Sequence, residues 1–512
     1  MKKLWKKLLA VTTAMMMAIT LLPAMANATE TEIEPPGTVT IIKNGENQNE
    51  YLAGAQFSFY KIASITNSEG KDWKYTVQPN YENTLEDDGN PKNLNNLPSS
   101  EWEAKIDTLA AIDVTPTKTS ELSAEKTGST GKTTLPLGVY LVKETTTPQG
   151  YVASKPFIVS VPSTNNYNNE AGGTEFIYDI TAQPKNSKMS VDKTIVDKDK
   201  TAYIGQFVKY KVETQIPKYG TEYTNPVFNI YDKMSNGLSF ANDDNDTEHK
   251  LKVVVGATEI TEKTDTYTLK TSGLSDGKTF EIQFAEAFLK SKEYKGKKVE
   301  VIYYAKVNDK AVYINKNSAN ITYQNKPGTT TDATPSEKNV YTYGIDLTKN
   351  GDKSVDANGL DGAEFTLAVA NGEMISILVN GTKVDVNGNS KDEFRTTTVE
   401  SKKGKLVFKG LKAGTYTLTE TKSPSGYSLA KNPITIVITA NEDGSLADAT
   451  VDGNSVKDNM TEAGVVPVGL QNKSGFNLPA TGGMGTYLFT IGGLVIMAGA
   501  ALLLIASKKR RA

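Results

Sequence analysis

LPLGVYLVKETTTPQGY (residues 135–151) and LKAGTYTLTETKSPSGY (residues 411–427) are two versions of one seventeen-residue pattern. In each, apolar and polar residues alternate, a glutamate falls at the tenth place (Glu144, Glu420), and a proline, a glycine and a tyrosine close the run. Alternation with period two marks a half-buried strand, and the Pro and Gly mark the turn that ends it. The similarity extends outward. VTIIKN (39–44) matches IDLTKN (345–350), LAGAQFSFYKI (52–62) matches LDGAEFTLAVA (360–370), and KPFIVSVP (155–162) matches NPITIVIT (432–439). Four blocks in one order, rich in Val, Ile, Thr, Tyr and Phe, describe antiparallel strands of a β-sandwich present twice.

Between the copies, GQFVKYKVETQIP (205–217), FNIYDKMSNGLSF (228–240), KVEVIYYAKV (298–307) and SANITYQN (318–325) read as strands of a third unit. SSEWEAKIDTLAAI (99–112), inside an insertion of the first copy, reads as a short amphipathic helix with Ser100 as N-cap and Glu103 closing a capping box. KPGTTTDATPSEK (326–338) reads as a Thr- and Pro-rich linker. The expected fold class is all-β, with three tandem immunoglobulin-like sandwiches. The expected divisions are 1–28, 29–184, 185–327, 328–338, 339–475 and 476–512.

The first and last divisions are targeting segments. MKKLWKK is a basic start, an apolar run follows, and AMANA offers signal-peptide cleavage after Ala26 or Ala28. Near the other end an uncharged run, 486–506, is long enough to span a bilayer, and Lys508, Lys509, Arg510 and Arg511 follow it. Setting aside the four basic residues at each end takes the formal charge from −2 to about −10 for the exported body. An acidic body argues against nucleic acid as a partner. There is no Cys, which removes disulfides and thiolate metal sites, and the single His249 lies in the polar run NDDNDTEHK, where it reads as solvated. No cofactor or metal is expected. The carboxylates of DKSVDANGLDG (352–362) are spaced loosely like a calcium loop but lack its distal Glu, so turn chemistry explains them better.

LPATG (Leu478, Pro479, Ala480, Thr481, Gly482), with its apolar span and basic end, resembles the cell-wall sorting signal of Gram-positive surface proteins. The repeated modules resemble collagen-adhesin B-type domains, and both seventeen-residue blocks resemble the pilin E-box. FIYDITAQPKN (176–186) resembles the pilin motif, with Phe176 in place of its Trp and Gln183 in place of its Tyr. Together they resemble the shaft subunit of a sortase-assembled pilus. The resemblance implies that a sortase cysteine attacks the Thr481 carbonyl and releases 482–512. Lys185 of another subunit, or a peptidoglycan precursor, would then take the acyl group. Implied partners are sortase, identical subunits, minor pilins, peptidoglycan and host surface glycoproteins. The alternatives are a monomeric wall-anchored adhesin, which has no need of Lys185, and a minor pilin.

The same resemblance implies Lys–Asn isopeptide bonds formed without an enzyme. The amine must be neutral to attack, which burial favours, and a neighbouring buried carboxylic acid must polarise the amide and move protons. The expected sets are Lys349, Glu420 and Asn472 in the third domain; Lys43, Glu144 and Asn186 in the first; and Lys193, Asp232 and Asn317 in the middle one. Asn315, Asn320 and Asn325 are rivals for Asn317.

Overall fold

Along Phe207–Gln215 every second side chain is buried, and the same alternation runs through Lys298–Val307 and Tyr343–Gly351. Strands with one buried face must pair two sheets face to face, and this chain does so three times. The computed structural model describes residues 35–475, apart from 48–49, 68–72, 88–89, 92–93, 95–96, 98, 164–175, 244, 371 and 388–391, together with the helix Met484–Lys509. The expected signal peptide and Leu478, Pro479, Ala480, Thr481 and Gly482 lie outside the described residues.

In the first sandwich, Gly37–Ile42 lies between Asp179–Ala182, to which it is parallel, and Ser129–Leu135. The facing sheet orders Phe157–Val161, Gly138–Thr146, Gln56–Asn67 and Trp73–Val77. Val39, Ile41, Phe57, Phe59, Tyr140 and Val142 fill the space between. The helix Ser99–Ala110 buries Trp102, Ile106 and Leu109 against Ile62, Ile65 and Tyr81. It begins one residue before the expected cap, so Ser100 lies within its first turn. The pairing of this sandwich continues to Lys188, through a short ladder between Ser187–Lys188 and Tyr151–Val152.

The middle sandwich sets Asp192–Ile195, Phe207–Gln215 and Lys298–Val307 in one sheet, and Phe280–Phe284, Phe228–Met234 and Ile314–Lys326 in the other. The stretch read as a linker is largely paired. Thr329–Asp332 and Ser336–Tyr341 both add to Ile314–Lys326, with Pro335 between them. Threonine suits a pleated edge as well as it suits a flexible connection, so composition alone misled here.

In the third sandwich, Tyr343–Gly351 is parallel to Val465–Asn472 and antiparallel to Lys402–Leu411. The facing sheet runs through Glu364–Val369, Gly414–Lys422 and Ile434–Ala440. Ile345, Leu347, Phe365, Leu367, Leu406, Phe408 and Leu418 are fully buried between them. By contacts the chain divides into two units: one takes in everything to 198 plus 207–306 and 315–339, and the other 199–206, 307–314 and everything from 340. The terminal helix includes Leu488–Lys509, a span of mean hydropathy 2.5.

Candidate functional site

The two repeat copies agree in register down to single residues. Thr348 faces Lys405 as Ile42 faces Ser129, so Lys349 and Lys43 hold equivalent places, each one step past that pair. Each lysine's carbonyl meets a glycine with positive φ. A Cβ at Gly128 (φ +61) or at Gly404 (φ +67) would stand 2.4 Å from the carbonyl oxygen of Lys43 or Lys349. Only glycine adopts that conformation cheaply and leaves that space.

The parallel pairing then fixes the asparagines. Lys349 faces Leu470 and Gly351 faces Asn472, so Lys349 and Asn472 lie on one face, two residues apart in register. In the first sandwich Asn44 bridges Lys185, which brings Asn186 to the corresponding position beside Lys43. The glutamates complete each set from the facing sheet. Glu144 Oε2 lies 3.1 Å from Lys43 Nζ, and its Oε1 accepts from Asn186 Nδ2 at 2.8 Å. Glu420 accepts from Asn472 Nδ2 at 2.9 Å through both oxygens. Lys349 Nζ donates to Asn350 O at 2.9 Å. A backbone N–H ten residues on holds each glutamate in place: Ser154 N to Glu144 at 2.8 Å and Ala430 N to Glu420 at 2.7 Å. All six of these Lys, Glu and Asn side chains are buried. Burial pushes the Lys43 amine down, with Glu144 opposing it.

The middle set is built differently. Lys193 comes from one sheet, while Asp232 and Asn317 come from the other. Lys193 Nζ lies 2.5 Å from Asp232 Oδ2. Burial lowers the amine to about 8 despite Asp232, and burial raises the Asp232 carboxyl against the pull of Lys193 and Tyr303. Register places Asn317 opposite Met234 and Ala319 opposite Asp232, so Asn317 and Asp232 share a face. Of the rivals, Asn320 spends its amide on Tyr231 Oη at 3.2 Å and Ala333 O at 3.0 Å. Asn317 Nδ2 instead donates to Tyr303 Oη at 3.2 Å. Tyr303 was not among the residues expected from sequence. Nor were Gly128 and Gly404, although each stands seven residues before its seventeen-residue block, a spacing that could have found them.

Lys185 is exposed, its neighbour Asn186 is buried and Pro184 is half-buried. Phe176 packs edge-on against Trp73, with ring centroids 5.1 Å apart. His249 is less solvated than expected, because its ring stacks on Phe207 at 3.8 Å. In the loose acidic loop, Asp361 accepts from Gly404 N at 2.6 Å and from Thr398 Oγ1 at 2.8 Å, which fixes the turn.

Comparison with known proteins finds the SpaA prealbumin-like fold domain at 37–174 and 345–453, the two copies of the repeat. The LPXTG cell wall anchor motif matches 471–512. A fimbrial subunit type 2 of Actinomyces naeslundii is 28% identical over 92% of this chain and 84% of its own length. A fimbrial subunit type 1 of Actinomyces viscosus is 28% identical over 73% of each chain. Among solved structures, the T6 backbone pilin of Streptococcus pyogenes serotype M6 superposes with a TM-score of 0.56 at 18% identity, covering 88% of this chain and 100% of that one.

Proposed function

This chain is a structural pilin of the Gram-positive, wall-anchored type, and from that premise we propose that it is the shaft subunit of a covalent fibre. In this reading a sortase cleaves after Thr481 and passes the acyl group to Lys185 of the next copy. The last copy goes to peptidoglycan. The observation that carries the reading is Lys185 itself. Its side chain is exposed at the exit of the first sandwich, and it sits in the one segment that resembles a pilin motif.

The buried Lys, carboxylate and Asn sets are the second part of the proposal. Three lysine ammonium groups buried in these cores would each be costly to desolvate even with their partners, whereas condensation with the neighbouring asparagine removes the charge permanently. The reaction joins Lys Nζ to Asn Cγ and releases ammonia. Glu144, Asp232 and Glu420 are the acids that polarise the amide.

The test is a blot of wall extract boiled in SDS. A high-mass ladder is expected, and Lys185→Arg, which keeps the charge but cannot accept the acyl group, should reduce it to monomer. A ladder that persists in that variant overturns the role of Lys185.

A further inference from the structure

In the two repeat copies a glutamate reaches the asparagine amide directly, at 2.8 Å in one and 2.9 Å in the other. In the middle sandwich the acid is an aspartate, one methylene shorter, and the hydrogen bond from Asn317 Nδ2 goes to a phenol instead. Tyr303 Oη lies 2.6 Å from Lys193 Nζ, 2.5 Å from Asp232 Oδ2 and 3.2 Å from Asn317 Nδ2. Among the described residues it is the one side chain hydrogen-bonded to all three. We propose that Tyr303 is a catalytic residue of the middle-domain condensation, relaying a proton from Lys193 Nζ to Asn317 Nδ2 across the gap that Asp232 does not span. The proposal rests on the Lys193–Asn317 pairing proposed above.

Neutral Nζ attacks Asn317 Cγ, and the new Nζ–Cγ bond leaves Nζ with one proton too many. The phenol oxygen accepts that proton. Its own hydrogen, held on Asp232 at rest, rotates about the Cζ–Oη bond to Nδ2, and the Cγ–Nδ2 bond breaks to release ammonia. Tyr303 ends as it began. Asp232 keeps its part: Asp232 Oδ1 and Asn317 Oδ1 are both buried without a partner among the described residues. A neutral Asp232 supplies the donor that the amide oxygen needs as charge builds on it.

The surroundings suit a proton relay. Tyr303 is fully buried, stacked on Tyr210 at 5.5 Å and met edge-on by Phe280 at 4.9 Å and Phe240 at 6.2 Å. Water is kept from the attack, and the phenol has no competing solvent partner. Strand alternation makes the choice: Tyr303 points inward from Lys298–Val307 and its neighbour Tyr304 does not.

The test follows the full chain by isotope pulse and chase in expressing cells, with mass spectrometry of the peptide joining 193 to 317. Tyr303→Phe keeps the ring and its packing, so circular dichroism should match the parent. Its condensation should slow by about 100-fold or more, the scale of positioned acid–base catalysis. Slowing below about tenfold in a folded variant overturns the proposal. If Tyr303→Phe does not fold, site-specific 3,5-difluorotyrosine at 303 replaces it. This acidified and nearly isosteric phenol should change the rate by threefold or more, and an unchanged rate overturns the relay. A wild-type chain with no joined peptide at all overturns the Lys193–Asn317 pairing as well, whereas a normal wild type beside a normal Tyr303→Phe removes only Tyr303.

Discussion

Lys185 and Asn186 are consecutive residues that face opposite ways, the first into solvent and the second, 2% exposed, onto Glu144. Period-two geometry is the cause, so on the proposed reading one position would offer an amine to a neighbouring molecule and the next an amide to the interior. Exchanging the two residues should lose both functions. The Lys185→Asn, Asn186→Lys double variant is expected to give no ladder on a boiled blot. Its first sandwich should also lack the roughly 17 Da loss that one ammonia represents. Survival of either feature would contradict this division of labour.

Glu420→Ala removes both acceptors from Asn472 Nδ2 and the anchor of Ala430 N. Intact mass should rise by about 17 Da beyond the substitution itself, one ammonia retained. A bond from Lys349 to Asn472 closes a loop of roughly 120 residues, which by loop-closure entropy stabilises by about 4–5 kcal/mol. Calorimetry should therefore show one transition lowered by at least about 10 °C, with the remaining transitions unmoved.

Gly404→Ala places a Cβ 2.4 Å from Lys349 O and 2.6 Å from Leu360 N at φ +67. Denaturant titration should show a loss of about 2–4 kcal/mol, combining left-handed strain with displaced backbone. Gly453→Ala is the control, since φ is +80 there but nothing lies within 4 Å, and it should cost only about 1 kcal/mol.

The middle set gives a pH signature when condensation is blocked. In Asn317→Ala, Lys193 stays an amine whose folded value, about 8, lies below its ordinary 10.5. Between those limits the unfolded chain binds more protons than the folded one, so stability rises with pH there. Below about 8 the full cost of burying the ammonium is present. Asp232, raised from 3.8, acts in the opposite sense: stability falls as pH climbs past its ordinary value toward its folded one. Melting of Asn317→Ala should therefore show a recovery of up to a few kcal/mol from pH 8 to 10 relative to Asn317→Ala/Lys193→Met. Parallel curves for the two variants would show that Lys193 is not held as a depressed amine.

The repeat made much of the fold legible in the sequence. Glu144 and Glu420 stand at the same place in two blocks that share eight of seventeen residues, and strand alternation sets which side chains point inward. What the sequence leaves open is register. Asn315, Asn317 and Asn320 share one strand, and only pairing with Phe228–Met234 shows which lies near Asp232. Tyr303 was hidden for a related reason. It is one of 24 tyrosines, and its role depends on a lysine 110 residues away in the chain. The paired stretch after Lys326 was missed because Pro335 falls between two short strands, where a ladder tolerates it.

If Lys185 is the linkage point, as proposed, its position sets how the fibre would stretch. On the proposed linkage, the covalent path of a pull from Lys185 to Thr481 leaves out residues 29–184, so that stretch could unfold without lengthening the fibre. The proposed bonds at Lys193–Asn317 and Lys349–Asn472 would short-circuit most of what remains. The taut path is then 185–193, 317–349 and 472–481, roughly 50 of the nearly 300 residues between the two ends, or about 180 Å at full extension. Without the two bonds the same pull could draw out about 1,000 Å per subunit. Each copy would act as a short inextensible link, so strain on the fibre would be met by the amides of the main chain and the cross-links, and not by unravelling sheets.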